Sequence, residues 1–352
     1  MEEVQVMEAC TLRELARRAG VDVSTVSRAL NGSPLVKEGR AKDIRELAES
    51  LGYRPKPIRT KRTGAIGLII SSAVQGRLDD DFQQRVAGAV QRRLGLKGFH
   101  VNMEGVERGP AAVLPELVRQ NRVDGVILSG HPNADLVARI RETGLPVVAL
   151  ADSGERLGVP CVTSNSCKAV TQAVTTLAAK GHVRFATLDS DLNYVSIKLR
   201  RQAFLDALSA LGIANDEKLN VAGLSPNIAG GREGVRELRR RGAAPTAIIC
   251  GNDWMALGAM AELQRQGVVI PEEMVVLGHD DMPFCEDLEP KLSSVSFDLE
   301  TLVSKAVENL IRQLAGERMP PVDLVVESQV VWRESVGLAP GRIQSSTMRD
   351  AT

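Results

Sequence analysis

No apolar run in the 352-residue sequence reaches the roughly 18 residues of a membrane-spanning helix, so none of it predicts a transmembrane segment. Residues 1–8 (MEEVQVME) are acidic and lack the basic and apolar regions of a secretory signal, which points to a cytoplasmic address. Cysteine is sparse and scattered. The five residues Cys10, Cys161, Cys167, Cys250 and Cys285 are an odd number without a CxxC pair, which argues against a disulfide framework and a structural zinc site. The four histidines, His100, His131, His182 and His279, show no paired ligand spacing. No metal and no cofactor are expected. Catalytic signatures are missing as well: there is no GxSxG, no Walker loop, and no GxGxxG at a strand-to-helix turn. The chain is not expected to be an enzyme.

What is present is ordinary core material. With 43% hydrophobic and 25% charged residues the composition is that of a soluble globular protein, and the length suits two or three folding units. The net charge of zero is unevenly spread. Residues 11–63 hold 13 Lys and Arg against 6 Asp and Glu, leaving an equal negative excess on the remainder. A small basic module on an acidic body suits contact with a polyanion, although a charge-rich segment is more often a solvated face.

The N-terminal block reads as two short helices around a tight turn. Thr11 with Glu14 forms a capping box, and Leu12, Leu15, Ala16 and Ala19 make a helical stripe. Gly20 suits the positive φ that ends such a helix. Asp22 can cap a second helix whose Val26, Ala29 and Leu30 face inward. Val23, Ser24, Thr25, Ser27 and Arg28 then lie on its outer surface, and Gly32 closes it. Two helices at a glycine turn are the helix-turn-helix unit, whose second helix enters the major groove. Hydroxyls reach phosphates without bulk, valine touches a thymine methyl, and arginine forks onto guanine. A plain helical hairpin with a polar outer face is the bland alternative.

The string TLRELARRAGVDVSTVSRALN (11–31), followed by LGYRP (51–55), resembles the headpiece of the LacI/GalR family of repressors. That resemblance implies that Thr11, Ser24, Thr25, Ser27 and Asn31 contact or position phosphates. It implies that Val23, Ser24 and Arg28 read bases, and that Tyr53 braces a third helix over about 37–50. Two departures stand out. The third helix opens VKEGRA (36–41), without the family's serine cap and with glycine in its first turn, so a frayed start is expected. The linker PKPIRTKRT (55–63) is shorter than usual and lacks the family's leucine-bearing hinge helix. Its two prolines disfavour a helix, so Lys56, Arg59, Lys61 and Arg62 are expected to act as an arm along the DNA.

Behind the linker, apolar runs alternate with amphipathic stretches. Strands are expected at 65–70, 99–103, 123–128 and 145–150, with helices at 80–96, 111–120 and 134–142 between them. The rhythm restarts with helices to residue 180 and at 195–211, 229–241 and 254–266, and strands at 184–188, 246–250 and 274–277. This predicts an α/β fold: an all-α helix-turn-helix headpiece followed by a doubly wound body in two lobes with a ligand cleft between them. The resemblance extends over AIGLI (65–69), VDGVI (123–127), KGHVR (180–184), PTAIICGNDWMALG (245–258) and VVLGHDD (275–281), and to periplasmic sugar-binding proteins. It implies crossovers near 162–164, 292–295 and 320–322. The expected division is a headpiece at 10–54, a basic linker at 55–63, a body at 64–337 and a disordered tail at 338–352. Within the body, lobe 1 spans about 64–162 and 294–320, and lobe 2 about 163–293 and 321–337.

For the cleft, the resemblance implies Phe82 as a stacking ring and Arg200 with Asp280 as an effector clamp, with Asn252 and Asp253 at a helix start facing the same crevice. Arginine offers a rigid donor fork and aspartate two acceptor oxygens, which suits vicinal diols. The bland alternatives are an ion pair between the lobes for Arg200 and Asp280, a core position for Phe82, and a helix cap for Asp253. Trp254 reads as core. Ser164 replaces the family's usual aspartate, the mouth at 75–82 is unusually acidic, and no aromatic stands near Ser225. The expectation is a transcriptional repressor acting as a homodimer or tetramer on double-stranded operator DNA under control of a small molecule. A sugar comes first and a nucleobase-type ligand second; a regulator without effector, whose lobes serve only to dimerise, stays open.

Overall fold

A computed structural model of the chain describes residues 12–30, 36–51, 62–72, 81–107, 113–150, 157–192 and 195–340. The chain divides into two compact units, Met1–Lys61 and Arg62–Thr352.

The first unit packs α1 (Leu12–Ala19), α2 (Val23–Leu30) and α3 (Glu38–Ser50) around Leu15, Ala16, Val26, Ala29, Ala41, Ile44 and Ala48. Four of these seven are alanines, so the helices approach closely around few large side chains. α1 ends at Gly20, whose φ of 62° lies in the left-handed region that only glycine adopts freely. Asp22 starts α2 by accepting from the Thr25 amide at 3.0 Å. Thr11 lies outside the described residues; the Glu14 carboxylate is met by Arg17 and Arg18 at 2.6–2.8 Å. α3 begins behind Lys37 with no side-chain cap.

The second unit holds two six-stranded sheets. Lobe 1 is ordered β11-β5-β4-β3-β1-β2, from β1 (Ala65–Ser72), β2 (His100–Glu107), β3 (Gly125–Gly130), β4 (Val147–Leu150), β5 (Cys161–Asn165) and β11 (Asp323–Glu327). Lobe 2 is ordered β12-β10-β9-β8-β6-β7, from β6 (Phe185–Leu188), β7 (Asn220–Val221), β8 (Ala247–Cys250), β9 (Val275–His279), β10 (Ser293–Ser296) and β12 (Gln329–Val331). All pairings are parallel except β10 with β12. Ile66, Leu68 and Ile70 point to one face of the first sheet and Ile69 to the other, and both faces are buried under helices. Burial on two sides is why these strands read as continuous apolar runs. The covering helices are α4 (Asp81–Gly95), α5 (Glu116–Arg119), α6 (Ala134–Glu142) and α11 (Leu299–Leu314) in lobe 1, with α7 (Cys167–Ala179), α8 (Val195–Ala210), α9 (Ile228–Arg240) and α10 (Asp253–Arg265) in lobe 2. The fold is thus an all-α helix-turn-helix unit and a doubly wound α/β body in two lobes.

Several boundaries differ from expectation. The expected lobe limits at 162, 293 and 320 each fall short: the chain leaves lobe 1 after Asn165, leaves lobe 2 after Ser296, and leaves lobe 1 again after Glu327. Segments read as crossings first run as strands along the sheet they are leaving. Their serine- and threonine-rich ends, TSN at 163–165 and SSVS at 293–296, lack the apolar run that marks a buried strand. Within the described part of the helix expected at 111–120, only Glu116–Arg119 is helical. Of the tail expected from 338, Ala339 is buried and its amide donates to the Lys180 carbonyl at 3.0 Å, and residues 341–352 lie outside the described residues.

Candidate functional site

On the headpiece, burial of Val26 and Ala29 fixes which face of α2 looks outward. Val23 is 39% exposed, and Ser24 and Arg28 are exposed too. Asp22 organises this end. Its carboxylate accepts from the Ser24 hydroxyl at 2.5 Å and from the Thr25 hydroxyl at 3.1 Å, and these bonds hold its pKa down at about 2. Both hydroxyl protons are therefore directed at Asp22, and reaching a phosphate as donors requires them to turn away from it. The side chain of Ser27, and Asn31, Tyr53, Lys56, Arg59 and Lys61, lie outside the described residues. Arg62 belongs to the second unit, where its guanidinium donates to the Leu314 carbonyl at the C-terminal end of α11, 3.3 Å away. A cation at that end complements the helix dipole.

In the body, a cavity of about 270 Å³ opens between the lobes. Lobe 1 lines it with Gln83, Ser129, His131, Thr163, Ser164 and Asn165; lobe 2 contributes Arg200, His279 and Asp280. Apolar floor is supplied by Leu150, Val162, Phe297 and Leu302. Strands β3, β5 and β9 all reach the cavity by their carboxyl ends, where open α/β sheets place their ligands.

Arg200 projects from α8 and donates to the Gly251 carbonyl at 3.1 Å. Asp280 follows β9 with φ at 110°, and Asp281 follows with φ at 51°, two successive non-glycine residues in the left-handed region. Such strain persists only where the surroundings impose it. Here three consecutive amides are tied: Asp280 to the Val295 carbonyl at 2.9 Å, Asp281 to Ser294 Oγ at 3.1 Å, and Met282 to Asp253 Oδ2 at 2.7 Å. Burial pushes the Asp280 carboxyl up to about 7, against the pull of the Arg200 and Arg85 cations. Arg85 reaches from α4 of lobe 1 to the carbonyls of Asp280 and Asp281, both at 3.3 Å.

The sequence expectations divide accordingly. Arg200 and Asp280 meet at one cavity, and both belong to lobe 2, so an ion pair between lobes is not what they form. The side chain of Phe82 lies outside the described residues; its neighbour Gln83 lines the cavity and accepts from the Ser129 hydroxyl at 2.8 Å. Asn252 and Asp253 do not line it. Asn252 caps α10, accepting from the Met255 amide at 2.8 Å. Asp253 is fully buried behind the cleft, where it accepts from Met282, from Ser294 Oγ at 2.6 Å and from Cys285 Sγ at 3.2 Å. Burial and the nearby Asp280 charge push its pKa up to about 7. The helix start that suggested a ligand contact instead supports the loop carrying Asp280. Trp254 packs on Phe284 with ring centroids 4.5 Å apart. Gln83, Ser129, His131, Asn165 and His279 were not singled out for the cleft; strand ends opening onto one crevice were the available signal.

These features define a class: a helix-turn-helix unit joined to a two-lobed, periplasmic-binding-type body with a polar cleft. Residues 11–56 match the model of bacterial regulatory proteins of the lacI family, and residues 174–336 that of the periplasmic binding protein-like domain. The regulator CelR of Thermobifida fusca is 31% identical over 339 residues, covering 92% of this chain and 98% of its own. The probable repressor ExuR of Bacillus subtilis (strain 168) is 28% identical over 334 residues, covering 93% and 98%. A solved CelR–cellobiose complex superposes with a TM-score of 0.67 at 29% identity, covering 93% of this chain and 99% of that one. The lac repressor dimer bound to operator shares the fold, with a TM-score of 0.68 at 22% identity over 94% of this chain and 100% of its own. The chain belongs to the lacI family of bacterial regulatory proteins.

Proposed function

We propose that this protein is a cytoplasmic transcriptional repressor that binds double-stranded operator DNA as a homodimer and responds to a small sugar held between its lobes. The observation that carries the sugar reading is the cleft itself, with a guanidinium and a carboxylate facing neutral hydroxyl and amide groups above an apolar floor. Sugars present hydroxyls that both donate and accept, together with an apolar ring face, and this lining answers each. That the related CelR is solved with cellobiose supports the same class of ligand. Calorimetry and thermal shift against a panel of neutral sugars, hexuronates and nucleobases test it. A panel in which only nucleobases bind replaces the ligand class, and one in which nothing binds favours a regulator whose lobes serve only to dimerise.

On the headpiece, Val23, Ser24, Thr25, Ser27 and Arg28 present α2 to the major groove, flanked by Thr11 and Asn31 at phosphates. Lys56, Arg59 and Lys61 follow the DNA as a basic arm, whereas Arg62 stays with the body. Selection of sites from a random DNA pool gives the operator. On it, Arg28→Ala is expected to cost about 1–3 kcal/mol and to erase preference at one base pair. An Arg28→Ala protein with the parent's sequence preference would sink the base-reading role.

A further inference from the structure

Three crossings join the lobes. Ser166 separates β5 of lobe 1 from α7 of lobe 2, Phe297 separates β10 of lobe 2 from α11 of lobe 1 by way of Asp298, and Ser328 separates β11 of lobe 1 from β12 of lobe 2. One side chain is linked to all three, to the third through Ser166. His279, the last residue of β9, places Nε2 2.9 Å from Ser166 Oγ, and Ser166 Oγ lies 3.2 Å from Ser328 Oγ. The imidazole and Phe297 ring centroids are 6.4 Å apart. The other ring nitrogen, Nδ1, is 2.9 Å from Asp280 Oδ1, at the cavity. His279, Ser166 and Ser328 are all buried.

We propose that His279 is a positioning residue that ties the cleft carboxylate of Asp280 to the three lobe crossings, so that an occupant claiming Asp280 also resets the hinge. The occupant rests on the sugar reading above; the tie does not. Above the Asp280 pKa of about 7 the hydrogen-bond chain has one consistent direction. An ionised Asp280 only accepts, so Nδ1 must carry the proton and donate. In a neutral ring Nε2 is then an acceptor, filled by the Ser166 hydroxyl, and Ser166 Oγ in turn accepts from Ser328. Burial, and the Arg200 cation beside the ring, hold the imidazole neutral. The charged groups around it are Arg200 and Asp280 from lobe 2, with Arg85 of lobe 1 at the Asp280 carbonyl. A ligand hydroxyl that takes Oδ1 removes the acceptor of Nδ1. The ring must then turn or exchange its tautomer, and Ser166 loses the acceptor that orients its hydroxyl between two crossings. A phenylalanine at 279 would fill the space and pack on Phe297 without this link.

The test uses the full-length protein with ¹⁵N-labelled histidine and no added sugar. The sequence has four histidines, and the His279 signal is identified by its loss in His279→Phe or by its shift in Ser166→Ala. We expect Nδ1 protonated and Nε2 bare at about pH 8, where Asp280 is ionised, and a ring that stays neutral down to about pH 5.5, across the range where an ordinary histidine titrates. Asp280→Ala should abolish the tautomer preference and leave the His182 signal unmoved. Hydrogen exchange supplies the second measurement. Asp280→Ala should speed exchange severalfold at the Ser328 amide, which donates to the Asn165 carbonyl at 3.1 Å, and do so in the parent but not in His279→Phe. An Nε2–H tautomer at about pH 8, an ordinary titration of the ring, or equal acceleration in both backgrounds would overturn the proposal. A protein that binds no sugar but passes these measurements would overturn only the sugar reading.

Discussion

Among the described residues, lobe 1 meets the cleft with neutral groups such as Gln83, Ser129, Thr163 and Ser164, whereas lobe 2 meets it with Arg200, His279 and Asp280. The strand order of the two sheets is the same, so the contrast comes from what lies behind each face. In lobe 2 the buried Asp253 and Ser294 hold the loop of Asp280, and α9 and α10 meet backbone to backbone at Gly231 and Gly258. In lobe 1 the helix pair α4 and α11 is bridged by long exposed side chains, Arg92 to Glu300 at 2.8 Å and Arg93 to Glu308 at 3.9 Å. Charged ligand contacts require a frame that fixes them, because a charge held loosely in a cleft loses its geometry to solvent. Neutral hydroxyl and amide groups tolerate adjustment, which suits the face that closes on a ligand.

The comparison breaks first at the glycines. Gly258→Ala places a Cβ against the Ile228 carbonyl, where only a backbone shift can make room. We expect a loss of about 1–3 kcal/mol or more in thermal unfolding. Gly88→Ala on α4 meets only the Arg92 guanidinium at 3.5 Å and should stabilise by about 0.5–1 kcal/mol through helix propensity. Equal melting of the two variants would erase the difference in frame. Next comes the cleft. By calorimetry with whichever sugar the panel yields, Arg200→Ala should weaken binding about 10- to 150-fold, the worth of a charged hydrogen bond. Gln83→Ala on the opposite face should cost about 2- to 12-fold, the worth of a neutral one. A larger loss from Gln83 would reverse the assignment of the two faces.

The pH dependence sharpens the same point. Asp253 has its pKa raised to about 7 from an ordinary 3.8, so the folded state favours its protonated form. Its contribution to stability is fully present below the unfolded value and is lost as pH rises through about 7. Urea unfolding of the parent and of Asp253→Asn should therefore diverge between those limits, the parent losing stability with rising pH relative to the variant. Parallel curves would remove Asp253 from its buried place. The smallest effect belongs to the exposed lobe 1 bridge: Glu300→Gln should shift stability by no more than about 1 kcal/mol, and less in high salt.

The headpiece was legible because its determinants are local. A glycine at positive φ, the cap at Asp22 and the stripe of Leu15, Ala16, Val26 and Ala29 are each set within a turn or two of chain. Strands β1, β3 and β9 were legible for a related reason, since burial on both faces writes a continuous apolar run. The span 293–331 was not: α11 and three strands there follow serine-rich or charged openings that carry no such run. Asp253 misled because an aspartate at a helix start reads the same whether it faces a ligand or a loop packed behind it.

The sequence by itself determined the order of elements, the helix-turn-helix and the two-lobed alternation, because periodicity and turn chemistry act between near neighbours. It also pointed to Arg200 and Asp280. Only the tertiary structure decided that Asp253 serves them from behind, and that His279 is linked to all three crossings, to Ser328 through Ser166. Ser166, His279, Phe297 and Ser328 are far apart in the chain, and no local pattern records which buried hydrogen-bonding groups will find each other. That pairing is imposed when two sheets close and every buried polar atom must be satisfied among the groups the fold brings within reach.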